Sequence, residues 1–416
     1  MTTTLIAPAE VVDRPAHRDG NVLRWLAAYT SSMIGDSVYY IALSWAAVQA
    51  GSPSQAGVVM AVSALPRALL MLGGGVIADR LGPRRVVIGS DAVRCAAVLA
   101  VAGLLFFTSP GLWPLAALAL VFGTVDAVFM PAVGALPARM TSRGQLARVQ
   151  GMRGLGIRFA SVVGGPLGGL AVAVGGAAAA FGLAGLLIAV SVPLLVSVRM
   201  RELPADDKAA SGGSTAWRDL VGGLRYIRRH RVLAPLMVAI ALGDLGFVGP
   251  LNVGLTLLAD ERGWGASGMG WVLSGFGVGA GAAALLLTVR GRLPHAGQVA
   301  GYAILAGSVA IGSLAYAPGV VAAVGIALLI GLLAGLSGAM CGALLQTQAD
   351  PACLGRVTAV SGLVSLGFAP LSMPLSAAAI GVWGTGPVFV GSAVVCGLGG
   401  VVALCVKDLR RAELPK

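Results

Sequence analysis

The chain has 416 residues, of which 57% are hydrophobic and 11% charged, and its formal net charge is +12. Soluble domains have about 25% charged residues, so this composition excludes an ordinary water-soluble globular protein. A positive net charge can indicate nucleic-acid binding, but here the cations lie in short connections between apolar runs, and we expect no nucleic-acid partner. The composition instead predicts an all-α membrane protein in contact with the lipid bilayer.

Twelve apolar runs have the length needed to cross a bilayer, which is about 20 residues. We number them span 1 to span 12 in chain order. They lie at residues 23–50, 56–78, 86–108, 112–138, 150–174, 178–199, 232–259, 266–289, 298–317, 319–345, 357–381 and 386–406. The sequence therefore predicts a fold of twelve transmembrane helices.

Basic residues are distributed unevenly between the two sides of the predicted membrane. Of the 29 lysines and arginines, 25 fall in predicted inner segments or at the inner ends of spans, one (Arg262) falls in an outer connection, and three (Arg67, Arg94 and Arg158) lie deeper within spans. The positive-inside rule then predicts that both termini face the cytoplasm. We expect a multi-pass protein of the inner (cytoplasmic) membrane.

A polar segment divides the chain into two sets of six spans. The stretch Pro204–Ser214 has the composition of a flexible linker. The segment 217–227 that follows places apolar residues at helical spacing opposite arginines, which predicts an amphipathic helix on the inner face or, alternatively, an extension of span 7. The predicted domains are an N-terminal tail (1–22), an N-terminal six-helix bundle (23–200), a central loop (201–231), a C-terminal six-helix bundle (232–406) and a C-terminal tail (407–416).

The two sets of spans are related by an internal repeat with an offset of 208 residues. This shift aligns Gly35-Asp36 with Gly243-Asp244 and Gly123 with Gly331. It also aligns Pro166-Leu167 with Pro374-Leu375. One ungapped offset from span 1 to span 11 predicts two pseudo-symmetric halves in parallel orientation, an arrangement known from secondary transporters.

The connection between spans 2 and 3 carries the most specific motif in the sequence. The motif places its glycines, its aspartate and its arginines at Gly75, Asp79, Arg80, Gly82, Arg84 and Arg85. This pattern resembles the inner-loop motif of the major facilitator superfamily, and most of the chain resembles that superfamily as well. The resemblance implies that Asp79 helps to latch the outward-facing state, with Arg139 as a partner. Alternatively, this segment has no gating function and is an inner loop whose arginines only follow the positive-inside rule.

Several segments resemble the drug and siderophore exporter branch of the superfamily. They are Pro137–Arg148, Trp217–Arg231 and Gln346–Val357. Exporters of the superfamily usually carry Gly-Pro-x-x-Gly-Gly in span 5. This chain has Gly165, Pro166, Gly168 and Gly169 with one residue between the pairs, so a plain proline-glycine hinge is an equal alternative.

Ionisable residues inside spans are costly and therefore indicate function. Asp36, Asp126 and Asp244 lie in spans 1, 4 and 7, and the resemblance places spans 1, 4, 7 and 10 around a central cavity. These acids are expected to carry protons, bind cations, or pair with Arg67 and Arg158. Asp91 and Arg94 are three residues apart in span 3, which predicts a structural ion pair. Because this pair sets Asp91 aside, Asp36, Asp126 and Asp244 remain as candidate proton carriers. Asp36 is the first choice, since the Gly35-Asp36 pair in span 1 also resembles the exporter branch.

Taken together, these patterns predict a monomeric transporter that exports small apolar or amphipathic molecules in exchange for protons. The proton gradient supplies the energy, and we expect no cofactor, no metal site and no enzymatic activity. The five cysteines are expected to be small buried residues. Two alternatives stay open: a proton-coupled uptake permease for a small metabolite, and a non-transporting sensor or lipid-handling protein on the same scaffold.

Overall fold

The computed structural model describes residues 18–108, 111–141, 145–199, 216–290, 295–350, 353–367 and 369–413. Within these residues the chain forms fifteen α-helices. They are α1 (Gly20–Ala50), α2 (Pro53–Leu81), α3 (Pro83–Phe107), α4 (Trp113–Ala135), α5 (Leu146–Ser197), α6 (Ala216–Arg229), α7 (Leu233–Gly249), α8 (Leu255–Glu261), α9 (Gly265–Arg290), α10 (Ala296–Leu314), α11 (Val320–Gln348), α12 (Leu354–Gly367), α13 (Ala369–Trp383), α14 (Thr385–Cys405) and α15 (Lys407–Arg410). The helix bounds agree with the predicted spans to within a few residues at most ends.

Within the described residues, eight helical segments are long and apolar enough to cross a membrane. One of them, Arg148–Ser197, has 50 residues, which is far more than one crossing requires. The helix pair α7–α8 acts as a single segment, Leu233–Glu261, joined through a π-helical turn at Pro250–Gly254. The protein is therefore a polytopic membrane protein, and the count of twelve spans stays a prediction.

Helix α5 contains two oppositely directed segments. Its backbone leaves the helical region at Gly175 and Gly176, and Gly176 has a φ of 67°, a left-handed conformation that glycine adopts without steric cost. Before this break, α5 runs parallel to α1, because Gly156 lies against Thr30 and Gly168 against Ile41. After the break it runs antiparallel, because the Ser31 hydroxyl donates to the Leu187 carbonyl, whereas Tyr39, later in α1, lies against Phe181, earlier in α5. The predicted spans 5 and 6 are thus the two arms of α5.

The repeat seen in the sequence recurs in the helix packing. Gly123 in α4 lies directly against the Ser63 carbonyl of α2, and Gly331 in α11 lies in the same way against the Phe276 carbonyl of α9. Without a side chain at either position, the backbones approach closely, which is how helices associate in lipid. The two contacts join corresponding helices, α2 with α4 and α9 with α11, as expected for two similarly built halves, although Phe276 lies five positions beyond the counterpart of Ser63.

The predicted amphipathic helix is present as α6. It ends at Arg229 and is separated from α7 by a turn in which the His230 ring accepts hydrogen bonds from the backbone of Val232 and Leu233. The alternative of a continuous extension of span 7 was therefore wrong. Ile227 is buried against the C-terminal half, whereas Leu224 is exposed.

The two halves meet near the end of the bundle that carries the α8–α9 connection. The Ser44 hydroxyl in α1 bonds the Thr256 hydroxyl in α8, and the Gln49 amide donates to Asp260 at 2.7 Å. Helices α5 and α9 also join the halves, because Gly165 lies against the Gly270 carbonyl. In the predicted topology this is the outer end.

The cysteines are only partly the buried residues that the sequence predicted. Cys341 and Cys396 are buried, Cys95 and Cys353 are half-buried, and Cys405 is exposed. Cys405 is the last residue of α14, and its side chain is not part of the core. All five are free thiols.

Candidate functional site

An ion cluster lies inside the N-terminal half, centred on Arg94 of α3. The Arg94 side chain is fully buried. Its Nη1 donates to both carboxylate oxygens of Asp36 in α1, at 3.0 and 2.9 Å, and to Oδ1 of Asp126 in α4, at 3.1 Å. Its Nη2 donates to Asp91 in its own helix and to the Ser32 hydroxyl at 3.1 Å. One guanidinium therefore joins three aspartates from three helices.

Two further groups complete the cluster. Arg67 of α2 lies 4.0 Å from Asp126, and the Tyr40 hydroxyl donates to the same carboxylate at 3.5 Å. The Arg94 guanidinium also stacks on an aromatic ring, with 4.0 Å between its central carbon and the Phe129 centroid. A buried guanidinium is stabilised by carboxylates and by ring faces together, so this geometry fixes Arg94 in one orientation.

The structure places Asp36, Asp91 and Asp126 together, which the sequence did not predict. The predicted Asp91–Arg94 pair is present, but Arg94 also pairs with the other two acids. A pairing with Arg94 therefore does not distinguish Asp91 from the other two acids, and it was the wrong reason to exclude Asp91 as a proton carrier. Exposure separates the three acids instead: the side chain of Asp36 is 14% exposed, against 8% for Asp126 and 1% for Asp91.

A small cavity of about 240 Å³ lies between the two halves, next to this cluster. Residues following Asp36 in α1 form one wall, and the π-helical turn and α8 form another. Its polar lining consists of Ser37, Tyr40, Ser44, Ser161, Asn252 and Thr256. Because Tyr40 both lines the cavity and donates to Asp126, the cavity reaches the edge of the ion cluster.

A second cavity of about 440 Å³ lies within the C-terminal half and contains Asp244. Its walls are mostly apolar and come from α7, α9, α10, α11 and α14. Arg158 of the N-terminal half also reaches it. The Oδ2 atom of Asp244 is buried and has no hydrogen-bond partner among the described residues. The third predicted acid is thus separate from the other two, and it shares its cavity with Arg158.

The inner-loop motif is only partly within the described residues. The side chains of Asp79 and Arg80, and Gly75 with them, lie outside the description, so the latch to Arg139 stays a prediction. Gly82 has a φ of 86° and forms the turn before α3. The Arg84 guanidinium donates to the Val196 carbonyl at 2.6 Å, which ties the start of α3 to the second arm of α5.

The glycine-proline segment of α5 lies at the contact between the halves. The helix continues through Pro166 without a break. Gly165 and Gly169 face the backbone of α9, whereas Gly168 faces α1. These glycines therefore permit close packing, and their function as a hinge stays a prediction.

Two long helical halves, related by a repeat and enclosing charged groups at membrane depth, define a secondary transporter fold. The family model of the Major Facilitator Superfamily matches residues 25–366, and the chain belongs to this superfamily. Among solved structures, it is similar to the nucleoside transporter NupG (TM-score 0.69, 13% identity, 95% of this chain and 100% of that one). It is also similar to a bacterial homologue of the human lysosomal transporter Spinster (TM-score 0.71, 12% identity, 95% and 98%).

Sequence relatives point to the exporters of the superfamily. The chain is 25% identical over 418 residues to the multidrug efflux pump Tap of Mycolicibacterium fortuitum, an alignment that covers 95% of this chain and 98% of that protein. It is 27% identical over 300 residues to the enterobactin exporter EntS of Shigella boydii, covering 69% of this chain and 67% of that protein. The protein is a major facilitator transporter with efflux pumps among its relatives.

Proposed function

We propose that this protein exports small apolar or amphipathic molecules in exchange for protons by alternating access. The direction of transport is supported by the two exporters among its relatives. The proton gradient is the energy source, and the transporter acts as a monomer without a cofactor.

The ion cluster is the structural observation that supports the proposal of proton exchange. Three carboxylates (Asp36, Asp91 and Asp126) face two guanidiniums (Arg67 and Arg94), which leaves one negative charge in excess when all are ionised. A buried net charge is costly, and one bound proton makes the cluster neutral. The cluster can therefore exist with and without a proton, and each state favours a different arrangement of α1, α3 and α4.

Asp36 is the proposed proton carrier within this cluster. It is the most exposed of the three carboxylates, so a proton reaches it most readily. Its neighbour Ser37 lines the cavity between the halves. Asp91, by contrast, also accepts a hydrogen bond from the Ser191 hydroxyl of α5, which fits a fixed structural anion.

The test is transport by purified protein in proteoliposomes with an imposed pH gradient. A panel of fluorescent amphipathic compounds, first screened by export from a pump-deficient host with and without a protonophore, supplies the substrate. We expect Asp36→Asn to bind this substrate but to lose accumulation driven by the pH gradient. Asp408→Asn, on the exposed helix α15, is the matched control and should transport normally. Unchanged coupling in Asp36→Asn, Asp126→Asn and Asp244→Asn would disprove proton exchange at these sites.

The proposed orientation has both termini in the cytoplasm of a cell whose inner membrane holds the protein. It rests on the concentration of basic residues in inner segments. Cysteines introduced at Ser211 and Glu261, in a background without the native thiols, test it with an impermeant maleimide. Labelling of intact cells at Glu261→Cys but not at Ser211→Cys is expected, and the reverse pattern would overturn the orientation.

A further inference from the structure

The two halves of the transporter differ at the centre of an otherwise repeated arrangement. The buried face of α3 carries Asp91, Arg94, Val98 and Ala102. The same spacing recurs on the buried face of α10, as Ala300, Ala303, Gly307 and Ile311. These residues lie 209 positions later, one residue beyond the offset of 208 that relates the other helices. Alanine thus stands in the C-terminal half where the N-terminal half has the guanidinium of Arg94.

The C-terminal half also has fewer carboxylates at the positions that correspond to this cluster. Asp244 is the counterpart of Asp36, and Ala334 is the counterpart of Asp126, each 208 positions later. Asp36 receives two hydrogen bonds from Arg94, whereas Asp244 keeps a buried oxygen without a hydrogen-bond partner among the described residues. The C-terminal half has retained one carboxylate but has no arginine on α10 to satisfy it, and in the described part of the chain the only guanidinium that lines this cavity is Arg158 of the N-terminal half.

The volume that the missing side chains would fill is the 440 Å³ cavity. Ala303, Gly307 and Ile311 of α10 line it, together with Ala334 and Asp244. A pocket of this size with mostly apolar walls suits a drug-sized organic molecule. The Asp244 carboxylate has a hydrogen bond with Ser365, but its buried Oδ2 has no donor among the described residues. Such an oxygen in a mostly apolar pocket favours a ligand that brings its own cationic hydrogen-bond donor.

We propose that the cavity at Asp244 is the cargo site, and that its cargo is an amphipathic molecule with a guanidinium or protonated amine group. The cationic group takes the position that Arg94 occupies in the other half and donates to the free oxygen of Asp244. The apolar body lies against α10 and α11. Arg158 reaches the same cavity from the N-terminal half, so a bound cargo contacts both halves. This inference rests on the proposed function as a transporter and adds the class of its cargo.

The experiment compares two probes that differ in charge alone. A dansyl-alkylguanidine is cationic, and the corresponding dansyl-alkylurea is its neutral isostere. Binding is measured by fluorescence titration of the full-length protein in detergent. Since a hydrogen bond to a charged group stabilises binding by about 1.5–3 kcal/mol, we expect the guanidine to bind wild type about tenfold more tightly or better. In Asp244→Asn this preference should disappear while the urea binds as before.

A second variant tests the location without changing a charge. A side chain at Gly338 of α11 meets no neighbouring atom within 4 Å at its Cβ, and it extends into the cavity. Gly338→Leu should therefore weaken binding of both probes. Gly325→Leu on the exposed side of the same helix, which also has open space at its Cβ, is the matched control, and Asp408→Asn is the control for charge.

Three outcomes would overturn the proposal: equal affinity of wild type for the two probes, equal weakening of both probes in Asp244→Asn, or unchanged binding in Gly338→Leu. Because the titration needs no proton gradient, its result is independent of coupling. Selective guanidine binding without pH-driven transport would contradict the proposed antiport alone. Proton-driven export with no guanidine preference would contradict the cargo class alone.

Discussion

The guanidinium of Arg94 in α3 donates to both carboxylate oxygens of Asp36 in α1, 58 positions earlier in the chain. The same nitrogen also donates to Asp126 of α4, so the relative positions of three helices depend on one side chain. Any change in the protonation of Asp36 alters the strongest interaction that α1 makes with this cluster. Proton binding at Asp36 therefore changes how firmly α1 is held against α3 and α4.

Removing the guanidinium tests how far the cluster holds the N-terminal half together. Arg94→Met leaves Asp36 and Asp91 without a guanidinium and Asp126 with Arg67 alone, and breaking buried ion pairs in this way costs about 3–5 kcal/mol. We expect a clearly lower midpoint of thermal unfolding in detergent and a lower yield. The double variant Arg94→Met with Asp91→Asn should recover part of the loss, because one unpaired charge is gone. Arg148→Met, at an exposed position of α5, is the control, and a midpoint unchanged in Arg94→Met would contradict the role of the cluster.

The inner-loop motif leads to a prediction about gating. Asp79→Asn removes an anion that stabilises one conformation more than the other, so it changes the equilibrium between states rather than the fold. We expect normal insertion and a normal unfolding midpoint, with severely reduced transport in proteoliposomes. Transport at the wild-type rate would show that the motif has no gating role in this protein.

The equivalent close contacts in the two halves give a prediction about packing. A methyl group at Gly123 would collide with the Ser63 carbonyl, and one at Gly331 with the Phe276 carbonyl. Overpacking of this kind costs about 1–3 kcal/mol, so Gly123→Ala and Gly331→Ala should each lower the unfolding midpoint. Gly134→Ala and Gly325→Ala lie in the same two helices with open space at the Cβ, and they should be neutral or slightly stabilising because alanine favours helix. Equal stability of both pairs would argue against the close helix contacts.

The helices could be predicted from the sequence because bilayer thickness sets their length. Span 11, predicted at 357–381, corresponds to α12 and α13 over 354–383, and the 208-residue offset correctly paired Gly123 with Gly331. The turn at Pro250–Gly254 was not predicted, because its residues are compatible with an ordinary α-helix and the π geometry depends on packing. Length and periodicity thus determine the elements but not their local irregularities.

The candidate site could be predicted only as a set of separate residues. Local spacing identified the Asp91–Arg94 pair, since partners three apart lie on one helix face. The bonds from Arg94 to Asp36 and Asp126 cross 58 and 32 positions, and no periodicity encodes them. A count of charges in the interior of the first four spans, three acids against two arginines once Arg24 at the inner end of span 1 is left out, was the available signal. Asp244 and Arg158 were predicted as candidates, but the size and shape of their cavity had no sequence signal, because they result from small side chains on α10 and α11.

The hydrogen bond between Ser44 and Thr256 leads to a prediction about alternating access. It joins α1 of one half to α8 of the other at the end where the halves meet, and this end must separate for the transporter to open there. Ser44→Cys with Thr256→Cys, in a background without the five native cysteines, places two thiols where two hydroxyls are in contact. Oxidation should form a disulfide and stop transport in proteoliposomes, and a reductant should restore it. A matched pair within one half, Ser308→Cys with Gly397→Cys, joins α10 to α14, which are in contact, so its disulfide should leave transport largely intact.

Each single variant should be insensitive to oxidant. Continued transport by the oxidised Ser44–Thr256 pair would show that the halves do not separate at this end, and the alternating-access mechanism proposed for this protein would then be wrong.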